Sequence, residues 1–102
     1  RACEEARAAG RRATARRALD EAVAAGRRDD YSRALDAFER AHALDPLEAR
    51  ALELYLQTAV YARDARRVDL AANALRVAQM PEAVIEARID EARTRRPDTN
   101  TE

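Results

Sequence analysis

The amino-acid sequence predicts an all-α fold, and three observations carry that prediction. Ala, Arg, Glu and Leu dominate a chain of 102 residues with only 2 glycines and 3 prolines, a composition of helix formers with few breakers. Apolar residues recur at steps of three and four, most clearly at Tyr31, Ala34, Leu35, Phe38 and Ala41, which places them on one helical face. No run of alternating β-branched residues offers a competing strand.

The elements follow in order. Ala2, Ala6, Ala9 and Ala13 form a slim stripe interrupted by Gly10, which predicts a weakly patterned helix over 1–13 that packs on something or frays. Ala15, Ala18, Leu19, Ala22 and Val23 share a face and predict a helix over 14–25. Gly26 is placed to adopt the left-handed conformation just past that helix, and Asp29 or Asp30 to cap the next one over 30–44. Asp45 then reads as a cap, Pro46 as a first-turn residue and Glu48 as the acid reaching back to the cap. That start signal predicts a helix over 46–63 burying Leu52, Tyr55, Leu56 and Ala59. Asp64-Ala65-Arg66 reads as the turn before a helix over 67–79 carrying Val68, Ala71, Leu75 and Ala78. Pro81 and Glu82 open a last helix over 81–95 with Val84, Ile85, Ile89 and Ala92 inward. Its end carries Arg93, Arg95 and Arg96, where cations complement the helix dipole. Pro97 stops it, and 98–102 reads as a loose tail. The chain is thus expected to be one domain over 1–97, with hairpins over 14–46 and 47–80 and a capping helix over 81–97.

An internal repeat is visible. Ala18 and Ala22 match Leu52 and Leu56 at a step of 34, whereas Ala34, Phe38 and Ala41 match Ala71, Leu75 and Ala78 at 37. The second step predicts about three extra residues near the second turn.

Charge and composition narrow the function. The 19 basic and 19 acidic residues cancel, and every basic residue is arginine. A GC-rich genome accounts for the missing lysine; a demand for guanidinium forks is the other reading. Neutrality argues against a nucleic-acid partner, whose footprint is a net basic surface. Cys3 is alone, so no internal disulfide framework exists. The chain does not begin with Met and is expected to be a segment of a longer or processed protein. It shows no signal-peptide block and no span of about 20 apolar residues, so a soluble, cytoplasmic domain with no membrane contact is expected.

No residue pattern points to catalysis, a cofactor or a metal. His42 is the one histidine and has no ligand neighbours at metal spacing. Glu4-Glu5, Asp20-Glu21 and Asp29-Asp30 read as solvation and capping rather than an acid–base pair across a cleft. Ser32 lacks a nucleophile-elbow context, and Gly10 and Gly26 build no phosphate loop. Arg11, Arg12, Arg16 and Arg17 read as a solvated face paired with Glu4, Glu5, Asp20 and Glu21, or as a dock for an acidic partner.

The stretch Asp30-Tyr31-Ser32-Arg33-Ala34-Leu35-Asp36-Ala37-Phe38, running on through Ala41 and Leu44 to Asp45-Pro46, resembles the second helix of a tetratricopeptide repeat. The resemblance covers about 14–80, with 81–96 similar to the solvating helix that closes such arrays. Four residues depart from the family pattern: Asp29 stands for a glycine, Ala18 and Leu52 for an aromatic, and Glu21 for a buried leucine. Asp45-Pro46-Leu47-Glu48-Ala49-Arg50 and the helices after it are also similar to the tetratricopeptide-like domain of bacterial transcriptional activators. These resemblances imply antiparallel hairpins stacked as a short right-handed solenoid with a C-terminal capping helix.

They also imply a function. Partners of such arrays bind the groove lined by the first helix of each hairpin, here Arg16, Asp20 and Arg27, then Glu53, Gln57, Val60 and Tyr61. The subtype that clamps a peptide C-terminal carboxylate with Lys and Asn is excluded, since those positions hold Leu19 or Asp20, Val23, Glu53 and Gln57. The expectation is a non-enzymatic scaffold binding a partner's peptide or helix. The alternative is a structural or regulatory segment of a larger bacterial signalling or transcription-regulatory protein with mainly intramolecular contacts. Burial of Leu52, Tyr55, Leu56 and Ala59 would turn Glu53, Gln57, Val60 and Tyr61 to the adjoining face. That face mixes an aromatic, an amide and a charge and is favoured over the Arg11–Arg17 cluster.

Overall fold

The computed structural model describes residues 2–46 and 48–95. Five helices account for nearly all of them: α1 (Ala2–Arg27), α2 (Tyr31–Leu44), α3 (Ala49–Tyr61), α4 (Ala65–Val77) and α5 (Glu82–Arg95). No strand occurs among the described residues. The chain is all-α, as its composition and periodicity predict. Leu47, Arg96, Pro97 and the expected tail 98–102 lie outside the described residues.

Consecutive helices pack on one another, and α5 also packs on α3. The core is a layer of alanines with a few large side chains set into it. Leu35, Phe38, Leu52, Leu56, Leu75 and Ile85 are each no more than 2 % exposed, between Ala22, Ala34, Ala41, Ala59 and Ala71. Small residues let the helix axes approach, and the large ones fill the space between them. Phe38, Leu52 and Leu56 belong to this one cluster, as their spacing predicts.

The helix boundaries correct several expectations. The segments 1–13 and 14–25 are one helix: α1 runs unbroken through Gly10, where an added Cβ would meet nothing within 4 Å. Its first turns carry exposed side chains from Cys3 to Arg7, so helix propensity rather than packing sustains them. Gly26 is also inside α1, and no glycine has a positive φ. The left-handed residue is Asp29, φ 61°. The Asp30 N–H reaches back to the Ala25 carbonyl at 2.9 Å and the Asp29 N–H to that of Gly26 at 3.0 Å, which is the Schellman closure. Asp30 then caps α2 by accepting from the Arg33 N–H.

The same junction recurs 34 residues later. Arg63 has φ 57°, the Asp64 N–H bonds the Ala59 carbonyl at 3.0 Å, and Asp64 caps α4 through the Arg67 N–H at 3.1 Å. Asp64, Ala65 and Arg66 are therefore not the turn but the start of α4. The step of 34 also holds for α4, because Ala37, Phe38 and Ala41 map onto buried Ala71, Ala72 and Leu75. The 37-residue match placed Ala78 inward, and Ala78 is exposed. Between α2 and α3 the junction differs. Asp45 ends α2 rather than capping α3, Pro46 lies in the turn, and Glu48 is the cap, accepting from the Arg50 N–H at 3.3 Å.

Ion pairs tie the layers at their edges. Glu21 is not a buried-leucine position. It is exposed and reaches α2, 3.8 Å from Arg33 and 3.0 Å from Arg40. Arg67 on α4 gathers three acids, 3.2 Å from Asp36, 3.3 Å from Glu39 and 3.7 Å from Asp64. The buried Tyr55 hydroxyl donates to Glu39 at 2.6 Å, so α2, α3 and α4 meet in one polar network. Burial, and then the bond to Glu39, push the Tyr55 phenol well above its usual range. Arg76 donates to both carboxylate oxygens of Glu82, at 2.7 and 3.0 Å, and holds that carboxyl below its usual range.

Candidate functional site: the cleft between α1 and α3

Helices α1 and α3 each pack on α2 but hardly on one another. A shallow cleft runs between them, with α2 as its floor. On its far side α3 packs directly on α5, and a further depression remains between those two helices.

The cleft holds two depressions. The first, about 160 Å³, is lined by Arg12, Ala15, Arg16 and Leu19 of α1, Ala41 and Asp45 of α2, and Glu48 and Ala51 at the start of α3. The second, about 200 Å³, has Ala22, Val23, Gly26 and Arg27 on one side and Leu54, Gln57, Thr58 and Tyr61 on the other, with Tyr31 and Phe38 between. Helix spacing places these residues: Leu54, Gln57, Thr58 and Tyr61 recur at three and four along α3, as do Val23, Gly26 and Arg27 along α1.

The second depression has a definite chemistry. Its floor is apolar, with Phe38 2 % exposed and Ala22 fully covered. Tyr31 and Tyr61 meet across it with ring centroids 6.0 Å apart and planes tilted by 53°, a favourable aromatic arrangement. The Tyr31 hydroxyl donates to Asp29 Oδ1 at 3.1 Å. The polar lining is otherwise Arg27, Gln57 and Tyr61, with Thr58 turned back to its own helix through a 2.7 Å bond to the Leu54 carbonyl. Among the described residues, Arg27, Gln57 and Tyr61 have no hydrogen-bond or ion-pair partner. The lining contains no carboxylate.

The seven residues placed in the groove from sequence do not form one site. Arg27, Gln57 and Tyr61 come together in the second depression, and Arg16 lines the first. Asp20 pairs with Arg16 across one exposed helical turn, at 3.7 Å. Glu53 turns the other way, into a depression of about 230 Å³ against α5, and lies 3.9 Å from Arg88. Val60 is a correction: it is 8 % exposed and so not part of an open face. It stands seven residues beyond Glu53, on the same stripe of α3. Gln57 lines both the α1-side and the α5-side depressions.

Tyr31 and Leu54 belong to the cleft and are not among the groove residues that the sequence singles out. Tyr31 reads in sequence as a core-facing helix position, and its pairing with Tyr61 is made only by the docking of the hairpins. The arginine cluster divides. Arg12 and Arg16 face the cleft, Arg11 and Arg12 border a depression near Leu44 and Pro46, and Arg17 bonds Thr14 at 3.2 Å. Among the described residues its one ion pair is Arg16–Asp20, not the ladder with Glu4, Glu5 and Glu21.

His42 is half-buried on α2, and among the described residues its buried Nδ1 has no hydrogen-bond partner. Cys3 is exposed. Among the described residues no three His, Cys, Asp or Glu side chains converge as a metal site would require, and no helix is long and apolar enough to cross a membrane. No family model, curated protein or solved structure matches this chain.

Proposed function

We propose that this chain is a protein-interaction scaffold that holds a peptide or helix of a partner in the cleft between α1 and α3. The observation that carries the reading is the convergence of Arg27, Gln57 and Tyr61, from two helices far apart in sequence, on the rim of an apolar floor. An aromatic anchor, an arginine and an amide around a sheltered patch are the mixture that recognition surfaces concentrate. A tetratricopeptide-like array is part of this reading. Its support is the 34-residue step that relates Asp29-Asp30 to Arg63-Asp64 in both backbone and cap. A cytoplasmic bacterial setting belongs to the same reading, and the arginine-only basic composition is what a GC-rich genome writes.

With a partner in hand, Tyr61→Ala and Gln57→Ala are expected to weaken binding while leaving the helical circular-dichroism signal intact. Survival of binding in both variants, with its collapse when Arg12 and Arg16 are made neutral, would overturn the assignment to the Arg27 end and move the site to the Arg12–Arg16 end of the cleft.

A second reading, a regulatory segment with mainly intramolecular contacts, has one observation of its own. Leu70 and Val77 stand 45 % and 83 % exposed, one above the other on α4. Were this the working surface, Leu70→Ser with Val77→Ser would abolish regulation by the parent protein while cleft variants left it unchanged.

A further inference from the structure

We infer that the Arg27 end of the cleft recognises an acidic side chain set one helical turn from a bulky apolar side chain, on an amphipathic helix of the partner. The inference rests on the scaffold reading and names the partner's chemistry. The unengaged polar groups around the second depression are a guanidinium, a phenol and a primary amide. The first is only a donor, and the other two donate readily. No carboxylate lines the depression to satisfy them. A partner group that accepts several hydrogen bonds and carries negative charge answers all three, and a carboxylate does so with charge-assisted bonds to Arg27.

The apolar part of the motif follows from the floor. Val23 and Leu54, half-buried above the covered Phe38 ring, offer an apolar patch bordered by Tyr31 and Tyr61, which suits one aliphatic or aromatic side chain. A helix of about fifteen residues matches the cleft's length. Arg12 and Arg27 are fifteen residues apart on α1, so the two depressions are spread over about 22 Å at a rise of 1.5 Å per residue. A chain can therefore run through the site, and the carboxylate is a side chain rather than a chain end. The far end carries Arg12 and Arg16 opposite Asp45 and Glu48. Both signs are present there, so that end discriminates less by charge.

The test is selection from a phage-displayed library of randomised peptides of about 15 residues, on the whole chain and on its Arg27→Glu variant. Circular dichroism first confirms that the variant keeps its helical signal. On the parent chain, enriched peptides are expected to carry Asp or Glu three or four positions from Leu, Ile, Met or Phe. On Arg27→Glu, Lys or Arg is expected to replace that acid. Changing the selected acid to its amide in a synthetic peptide is expected to weaken binding to the parent chain about tenfold, and to leave binding to Arg27→Gln within about twofold. Enriched peptides without an acidic bias, bound equally by parent and Arg27→Glu but lost with Tyr61→Ala, would overturn the carboxylate inference and leave the scaffold reading standing. Failure to enrich any peptide that depends on Tyr61 or Gln57 would overturn both.

Discussion

Phe38→Ala is the most searching perturbation of the core. Phe38 is 2 % exposed, and the cluster that holds it includes Ala22, Ala34 and Ala41. Alanines have no rotamers with which to fill a void, and helices fixed by short junctions cannot collapse far. The loss therefore combines the transfer free energy of the ring with most of the cavity penalty, about 3–5 kcal/mol in all. For a domain of this size, total stability is of order 5–15 kcal/mol, so the substitution removes about a fifth of it or more. With a urea m-value of about 1.5 kcal/mol/M, the unfolding midpoint is expected to fall by roughly 2–3 M. Phe38→Leu, which keeps most of the volume, is expected to lose less than half as much. Equilibrium urea unfolding followed by circular dichroism measures both. A change below about 1 kcal/mol for Phe38→Ala would refute the view that this ring holds the hairpins together.

Gly26→Ala should stabilise the chain by about 0.5–1 kcal/mol, because Gly26 is helical and a Cβ there meets nothing within 4 Å; a lower thermal midpoint would show that the position needs a left-handed glycine after all. Tyr55→Phe bears on alkaline stability. The Tyr55 phenol is raised by burial and by Glu39, so its contribution is complete below the unfolded value of about 10 and is lost as pH climbs above it toward the folded value. The parent should therefore lose stability above about pH 10 while Tyr55→Phe, weaker by about 1 kcal/mol at neutral pH, shows a flatter profile; parallel profiles in urea unfolding across that range would contradict this. Arg67→Met should cost about 1–2 kcal/mol, between exposed and buried ion pairs, since the Arg67 side chain is 18 % exposed among three acids. A double-mutant cycle with Glu39→Gln should show coupling, and strict additivity would mean that the network is solvated ornament.

The helices were legible because their inner faces are periodic. Tyr31 to Ala41 announces α2 without ambiguity, and Asp30 and the positions Leu52, Tyr55, Leu56 and Ala59 do what their spacing requires. The boundaries were less legible because several residue types can do one local job. A left-handed stop suggests glycine, yet Asp29, Arg63 and Gln79 occupy that conformation here, and Gly10 and Gly26 continue a helix. Asp45, Glu48 and Pro46 all look like start signals, and only the backbone decides which one caps. At the cleft, Tyr31, Gln57 and Tyr61 come from two different hairpins, so no local pattern records their meeting. Val60 shows the complementary failure. The pattern of α3 alone turns it to an open face, and its burial is a product of tertiary packing that this pattern does not record.

The junctions at Asp30 and Asp64 have a consequence for length. At each, a single residue donates its N–H to close one helix and lends its carboxylate to open the next. Such a connector has no slack. One inserted residue would separate the two duties and leave either the outgoing carbonyls or the incoming N–H groups without their partner. Before α5 the duties are divided: the Met80 N–H closes α4 on the Leu75 carbonyl, and the Pro81 carbonyl receives Val84 and Ile85. Length variants, grafted loops or an additional hairpin should therefore be accepted between Met80 and Pro81, and refused at Asp30 and Asp64.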